Sequence, residues 1–223
     1  MKLLPDWTTT SYLRLIDPVA NWLVRRKVHP NSITIFGTVC TVIGGVIYAM
    51  GHIRTGGWFL SITALFDVLD GTVARRSGRS STFGAFLDST LDRLADGFVL
   101  GGLAVFYATS TQHGSIRLMI TALLGLMGAF LTSYTRARAE ALGLDAKVGI
   151  MQRPERVVLM AAPQALFGLF FDGWALAIIV VTLTVTAWIT VIQRVGYVYS
   201  ATTRADALKA RAVTEPQSGL ATR

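Results

Sequence analysis

The stretch FDVLDGTVARRSGRSSTFGAFLDSTLDRLADG, Phe66 to Gly97, decides how the chain is read. It carries five aspartates, Asp67, Asp70, Asp88, Asp92 and Asp96, inside or against apolar sequence. A carboxylate in a lipid-facing helix costs about 2.5–3.5 kcal/mol even on forgiving scales. Five together need a reason, and helical spacing points to one. Asp67 and Asp70 stand three apart and share a face, with Gly71 and Ala74 leaving space beside them and Arg75 ending the segment. On the next apolar segment Gly84, Asp88, Asp92 and Asp96 recur every four residues as one slowly drifting stripe. The connection RSGRSSTF is short, so the two helices are expected to be antiparallel neighbours. Their acids would then face each other across a narrow gap, toward one face of a membrane.

Composition supports a membrane setting. The chain has 223 residues, 52% of them hydrophobic and 15% charged, with a mean hydropathy of +0.51; an ordinary soluble domain is less apolar. Six apolar segments follow one another, near 33–50, 55–74, 82–107, 118–135, 154–171 and 173–193. Crossing the hydrocarbon core takes about 20 helical residues, and none of these segments shows the period-2 alternation of a barrel strand. The expected fold is therefore all-α integral membrane, six transmembrane helices preceded by an amphipathic juxtamembrane helix. Residues 1–200 read as one membrane domain, with the juxtamembrane region at 1–30 and the six-helix bundle at 31–200. Residues 201–223 read as a polar, disordered tail.

The net charge of +8 is a topology signal rather than a sign of nucleic-acid binding. Of the 21 basic residues, 18 fall on the side of the termini, only Arg54 and Arg117 on the other, and Arg93 inside a segment. The asymmetry places both termini and the aspartates at the cytoplasmic face of the cell membrane. Asp17-Pro18 reads as a helix start, followed by Val19, Trp22 and Leu23 on one face and Arg25, Arg26 and Lys27 for anionic headgroups. A single cysteine, Cys40, excludes an internal disulfide, and no Cys/His cluster points to zinc. Gly44, Gly45, Gly101, Gly102, Gly125 and Gly128 are candidates for close helix packing.

Four facing carboxylates repel one another, and Arg93 cannot neutralise them all. A divalent cation can. Carboxylate oxygens without His or Cys favour hard metals, Mg²⁺, Mn²⁺ or Ca²⁺, and such a set can hold two ions about 4 Å apart to clamp phosphoryl groups. Gly71 and Gly84 would let phosphates approach, and Arg75 suits a phosphate. Phosphoryl transfer at the membrane surface is the implied chemistry. A cation path, a purely structural ion-pair network and an inert membrane scaffold are the competing readings. A transporter should show repeat symmetry around a midplane site, and no internal repeat is visible. Arg136, Arg156 and Arg194 lie at cytoplasmic segment ends. They either converge on an anion or anchor headgroups.

The spacing Asp67-x2-Asp70-Gly71-x2-Ala74-Arg75-x8-Gly84-x3-Asp88-x3-Asp92 resembles the complete signature of the CDP-alcohol phosphotransferases. The likeness extends from HPNSIT, His29–Thr34, to the sixth segment. It implies a homodimer with a cytoplasm-facing site holding two Mg²⁺ or Mn²⁺ ions on Asp67, Asp70, Asp88 and Asp92, with Asp92 also the general base. It further implies that Gly71, Arg75 and Ser81, with Asn31, Ser32 and Thr34 of the PNSIT turn, contact the CDP-lipid. The reaction would be attack by an alcohol on the lipid-bearing phosphate of CDP-diacylglycerol, releasing CMP. SYTRARAE, RPER and FLDSTLDRLADG resemble the branch of the family that uses inositol 1-phosphate. That likeness implies that Arg136, where the branch often has Lys, together with Arg156 and Arg194 binds the acceptor phosphate. The glycerol phosphate-using branch is the main rival, and CDP-archaeol would serve as donor by the same chemistry. Asp96 lies outside the signature; it either pairs with a cation or contacts the acceptor.

Overall fold

The structure is a computed structural model that describes residues 6–146, 148–150 and 153–214. Among these residues it is entirely helical: α1 (Asp6–Arg25), α2 (Pro30–Ala49), α3 (Ile53–Ser77), α4 (Thr82–Thr109), α5 (Ile116–Ala141), α6 (Arg153–Phe167) and α7 (Trp174–Thr214). Each of the six expected spans coincides with one of α2–α7. By length and apolarity alone, α2, α3, α5 and α7 qualify to cross a membrane. The stripe Asp88, Asp92 and Asp96 with Arg93 keeps α4 from doing so. The 15 residues of α6 reach only about 22 Å, short of a core about 30 Å thick.

Local chemistry sets the helix ends. His29 precedes Pro30, which occupies the first turn of α2, and its Nδ1 accepts from the Asn31 N–H at 3.2 Å. Ser81 caps α4, its Oγ accepting from the Gly84 N–H at 3.0 Å. Gly78 closes α3 in the left-handed conformation at φ 65°, which only glycine adopts without cost.

Three expectations are corrected. Asp17-Pro18 does not start a helix, because α1 begins at Asp6 and carries Pro18 inside it; Asp17 instead pairs with Arg76 at the end of α3, 2.6 Å away. The tail after Ser200 is helical through Thr214; residues 215–223 lie outside the described residues. The third concerns the aspartate helices. α3 and α4 do not pack against each other; both pack on α2, and α3 also packs on α6.

Cross-helix contacts give the directions. Thr34 near the start of α2 meets Asp70 near the end of α3, while Gly44 meets Leu60, so α2 and α3 are antiparallel. Asn31 approaches Gly84, and Gly45 approaches Gly102, so α2 and α4 run parallel. Thr184 Oγ1 donates to the Thr121 carbonyl at 3.0 Å and Trp188 Nε1 to the Leu124 carbonyl at 3.0 Å, so α5 and α7 are parallel too. This is the alternation that successive spans require. A Cβ on Gly102 would overlap the Gly45 carbonyl, and a Cβ on Gly128 would come within 2.9 Å of the Ala187 Cβ. Among the glycines singled out in the sequence, Gly101 alone faces open space. The main core joins α2–α7 around Tyr48, Leu103, Leu176 and Val180, and the Tyr48 hydroxyl donates to the Met160 carbonyl at 2.6 Å. A second cluster of Ile16, Ala20, Ile33, Leu69 and Val73 fastens α1 to α2 and α3. Val19 and Trp22 remain exposed, and Arg26 stacks over the Trp22 ring at 5.6 Å, as an interfacial helix requires.

Candidate active site

Because α3 and α4 are held apart on α2, a cleft opens between the two aspartate stripes. Its outer part is a cavity of about 200 Å³ at the end where α3 stops and α2 and α4 begin. Asn31 and Thr34 line it from α2, Asp70, Gly71 and Arg75 from α3, Ser81 from the connection, and Gly84 and Asp88 from α4. Most of the expected donor and nucleotide residues thus meet in one place. Ser32 does not; it is exposed beside the cavity, and its N–H donates to the His29 carbonyl at 3.0 Å. The PNSIT segment is the first turn of α2 rather than a free turn, so only one of its faces reaches the cleft. Arg79 and Ser80 also line the cavity. In the sequence Arg79 reads only as one of the cytoplasmic-side basic residues, and its place four residues after Arg75 is the available signal.

Asp70 is held on two sides. It is 7% exposed, accepts from Thr34 Oγ1 at 2.7 Å and accepts from the backbone N–H of Gly71. Asp67 and Asp88 lie within electrostatic reach of it. Gly71 has a concrete reason to lack a side chain, since a Cβ there would sit 3.2 Å from Arg75 Nη1. At Gly84 a Cβ would meet Ser81 Oγ at 3.1 Å and Asn31 Oδ1 at 3.2 Å. Both glycines therefore let polar side chains crowd the cavity wall.

Deeper in the cleft the environment changes. Asp92 is partly buried and lies 3.7 Å from the Arg93 guanidinium. Asp67 and Asp96 line a small chamber closed by Thr41, Thr63 and Met160. Among the described residues no three carboxylate, imidazole or thiol groups close round a single point; the aspartates stand along two walls.

The arginines form a neighbouring region. Arg156, on the first turn of α6, is buried beside Asp96, with Nη2 3.6 Å from Asp96 Oδ2. Arg136 and Arg156 both lie within electrostatic reach of Arg194. Their surroundings differ. Arg136 is exposed and pairs with Glu140 at 2.9 Å. Arg194 donates from Nε to the Val148 carbonyl at 2.9 Å and from Nη1 to the Thr132 carbonyl, tying the α5–α6 connection to the bundle. A larger cavity of about 550 Å³ lies at the opposite end, lined by Tyr107, His113, Arg117 and Trp174. Volume alone does not choose the site, because that cavity is remote from the aspartate stripes.

A helical membrane bundle with two aspartate-bearing walls beside buried and exposed arginines has the charges needed to handle phosphates at a bilayer. The chain matches the CDP-alcohol phosphatidyltransferase family over residues 27–196 and belongs to that enzyme family. It is 37% identical over 185 residues to a phosphatidylinositol phosphate synthase of Mycobacteroides abscessus, covering 82% of this chain and 83% of that one. It is 38% identical over 186 residues to an archaetidylinositol phosphate synthase of Methanothermobacter thermautotrophicus, covering 83% of this chain and 89% of that one. Its fold is similar to the crystal structure of Mycobacterium tuberculosis phosphatidylinositol phosphate synthase with CDP-DAG bound, with a TM-score of 0.76 and 35% identity over 83% of this chain and 94% of that one. A second structure of that enzyme, in complex with manganese and citrate, matches with a TM-score of 0.74, 35% identity and coverage of 82% of this chain and 88% of that one.

Proposed function

We propose that the chain transfers a phosphatidyl group from CDP-diacylglycerol to inositol 1-phosphate, releasing CMP. The observation that carries this reading is the meeting of Asp70, Arg75, Ser81 and Asp88 in one cavity. Further along α4, Asp96 lines one small chamber with Asp67 and another with Arg156, so an acidic region and a cationic one lie along the same stripe. Relatives named as phosphatidylinositol phosphate and archaetidylinositol phosphate synthases support the choice of acceptor.

An all-carboxylate donor set suits a hard divalent cation. Asp67, Asp70, Asp88 and Asp92 would hold Mg²⁺ or Mn²⁺, two ions per site. The bound metal would polarise the diphosphate and offset its charge. The remaining work falls to the chain's own side chains. Arg75, Ser81 and Asn31, with Gly71 leaving space, orient the nucleotide, while Thr34 holds Asp70; Arg136, Arg156 and Arg194 hold the acceptor phosphate. Asp92 takes the proton from the attacking hydroxyl as its oxygen bonds to the lipid-bearing phosphorus and the bond to the CMP phosphate breaks. The apolar outer faces keep the site in the plane of the lipid substrate.

Residues 1–200 act as one catalytic membrane unit, working as a homodimer in the cell membrane, with the basic end, both termini and the cleft facing the cytoplasm. The test is CMP release by the purified chain with CDP-diacylglycerol and Mg²⁺, offered inositol 1-phosphate, inositol, glycerol 3-phosphate and serine separately. Release with inositol 1-phosphate alone, abolished by chelation of the metal, is expected. Release with glycerol 3-phosphate alone would keep the reaction and replace the acceptor.

A further inference from the structure

The signature leaves Asp96 without a role, yet no carboxylate of the stripe is more deeply set. It is 6% exposed and Arg156 is 9% exposed, with Oδ2 and Nη2 3.6 Å apart. Asp96 lines two adjoining chambers, one shared with Asp67 and one shared with Arg156, Gly125 and Leu183. It stands at the boundary between the acidic cleft and the arginine cluster, one helical turn from Asp92 on α4.

We infer that Asp96 is a positioning residue that holds the Arg156 guanidinium at this boundary, where it receives the phosphate of the acceptor. The inference rests on the acceptor reading above. Two physical needs meet in the pair. A buried carboxylate and a buried guanidinium are each costly alone and tolerable together. Arg156 also lies within electrostatic reach of Arg194, which repels it. Without a fixed carboxylate on the α4 side, that repulsion would turn the long side chain out of the boundary. A guanidinium carries five N–H donors in a planar fork, enough to hold a carboxylate on one edge and a phosphate on another. Held by Asp96, Arg156 would keep an N–H edge turned to the acceptor's phosphate, a contact made equally in the bound and reacting states.

The test is a double-mutant cycle on the full chain in detergent, with Mg²⁺ and CDP present. Calorimetry would measure the affinity for inositol 1-phosphate, glycerol 3-phosphate and inorganic phosphate. Asp96→Asn is expected to weaken inositol 1-phosphate binding by about tenfold, and Arg156→Gln at least as much, while the double variant binds no more weakly than Arg156→Gln alone. With saturating acceptor, Asp96→Asn should retain kcat within about threefold, so that the loss appears in KM. The double variant buries neither charge and serves as the folding control, since Asp96→Asn alone removes a carboxylate from beside a buried guanidinium. Unchanged affinity in Asp96→Asn, additive losses in the double variant, or a fall in kcat at unchanged affinity would each overturn the positioning role. Tight binding of glycerol 3-phosphate in place of inositol 1-phosphate, with the same non-additive cycle, would replace the acceptor and keep the role. A wild-type chain that binds none of the three phosphates would overturn the acceptor reading and this inference together.

Discussion

Two helix pairs on the same bundle behave in opposite ways. α2 and α4, separated by a whole helix in the chain, touch glycine to glycine at Gly45 and Gly102. α3 and α4, joined by only Gly78–Ser81, do not pack at all. A four-residue connection spans up to about 14 Å, while packed helices lie about 8–10 Å apart, so the short loop permits a gap as readily as a contact. Packing chemistry decides between them. Small residues let α2 and α4 close, whereas the acid stripes on α3 and α4 repel. The close pair is the support on which the open pair becomes a cleft.

The sharpest way to test the open pair is to remove a charge from its α4 wall. Asp92→Asn keeps the volume and removes the base. CMP release should fall by about 10²–10⁴-fold with the thermal midpoint in detergent little changed. A variant that kept near wild-type turnover would show the cleft to be structural. The closed pair is tested at Gly102. A valine there meets backbone of α2 rather than a side chain that can move aside, so Gly102→Val should cost about 3 kcal/mol, the upper end of overpacking losses. It should lower the thermal midpoint and activity together. An unchanged midpoint would mean that α2 and α4 do not meet at these glycines.

Thr34 stands where the two pairs join, on α2 and bonded across to α3. The family likeness gives it to the nucleotide; the structure gives its hydroxyl to Asp70 at 2.7 Å. Hydrogen bonds to charged groups contribute about 1.5–3 kcal/mol, so Thr34→Val should reduce CMP release by roughly tenfold or more. The Mg²⁺ concentration for half-maximal rate should rise, and the KM for CDP-diacylglycerol should hold. A rise in that KM at unchanged Mg²⁺ requirement would return Thr34 to the nucleotide.

The acidic walls were legible because a helix repeats on a period that four-residue spacing exposes, and Asp70, Asp88, Gly71 and Gly84 lie where that period puts them. What escaped depended on distant partners. Nothing local to Asp96 names Arg156, and nothing near Arg194 announces the carbonyls of Thr132 and Val148. Ser32 was grouped with Asn31 and Thr34 because a short motif does not say which face of a first helical turn points inward. The polarity of the tail after Ser200 suggests disorder, but RADALKARAV, residues 204–213, is rich in helix formers, and the breakers Pro216 and Gly219 come later.

The smallest expected effect separates two arginines that the sequence treats alike. Arg136 is exposed, and its pair with Glu140 is worth about 0.3–0.5 kcal/mol at most, so Arg136→Ala should leave the thermal midpoint almost unmoved. Arg194 holds two backbone carbonyls, one of them on the α5–α6 connection, and its loss leaves both acceptors without that donor. Arg194→Ala should therefore lower the midpoint measurably as well as weaken acceptor binding, whereas Arg136→Ala should change the acceptor KM alone. Equal midpoints in the two variants, measured side by side in one detergent, would mean that the connection is held without Arg194. Arg194 would then belong with Arg136, as a cation whose only task is the acceptor's phosphate.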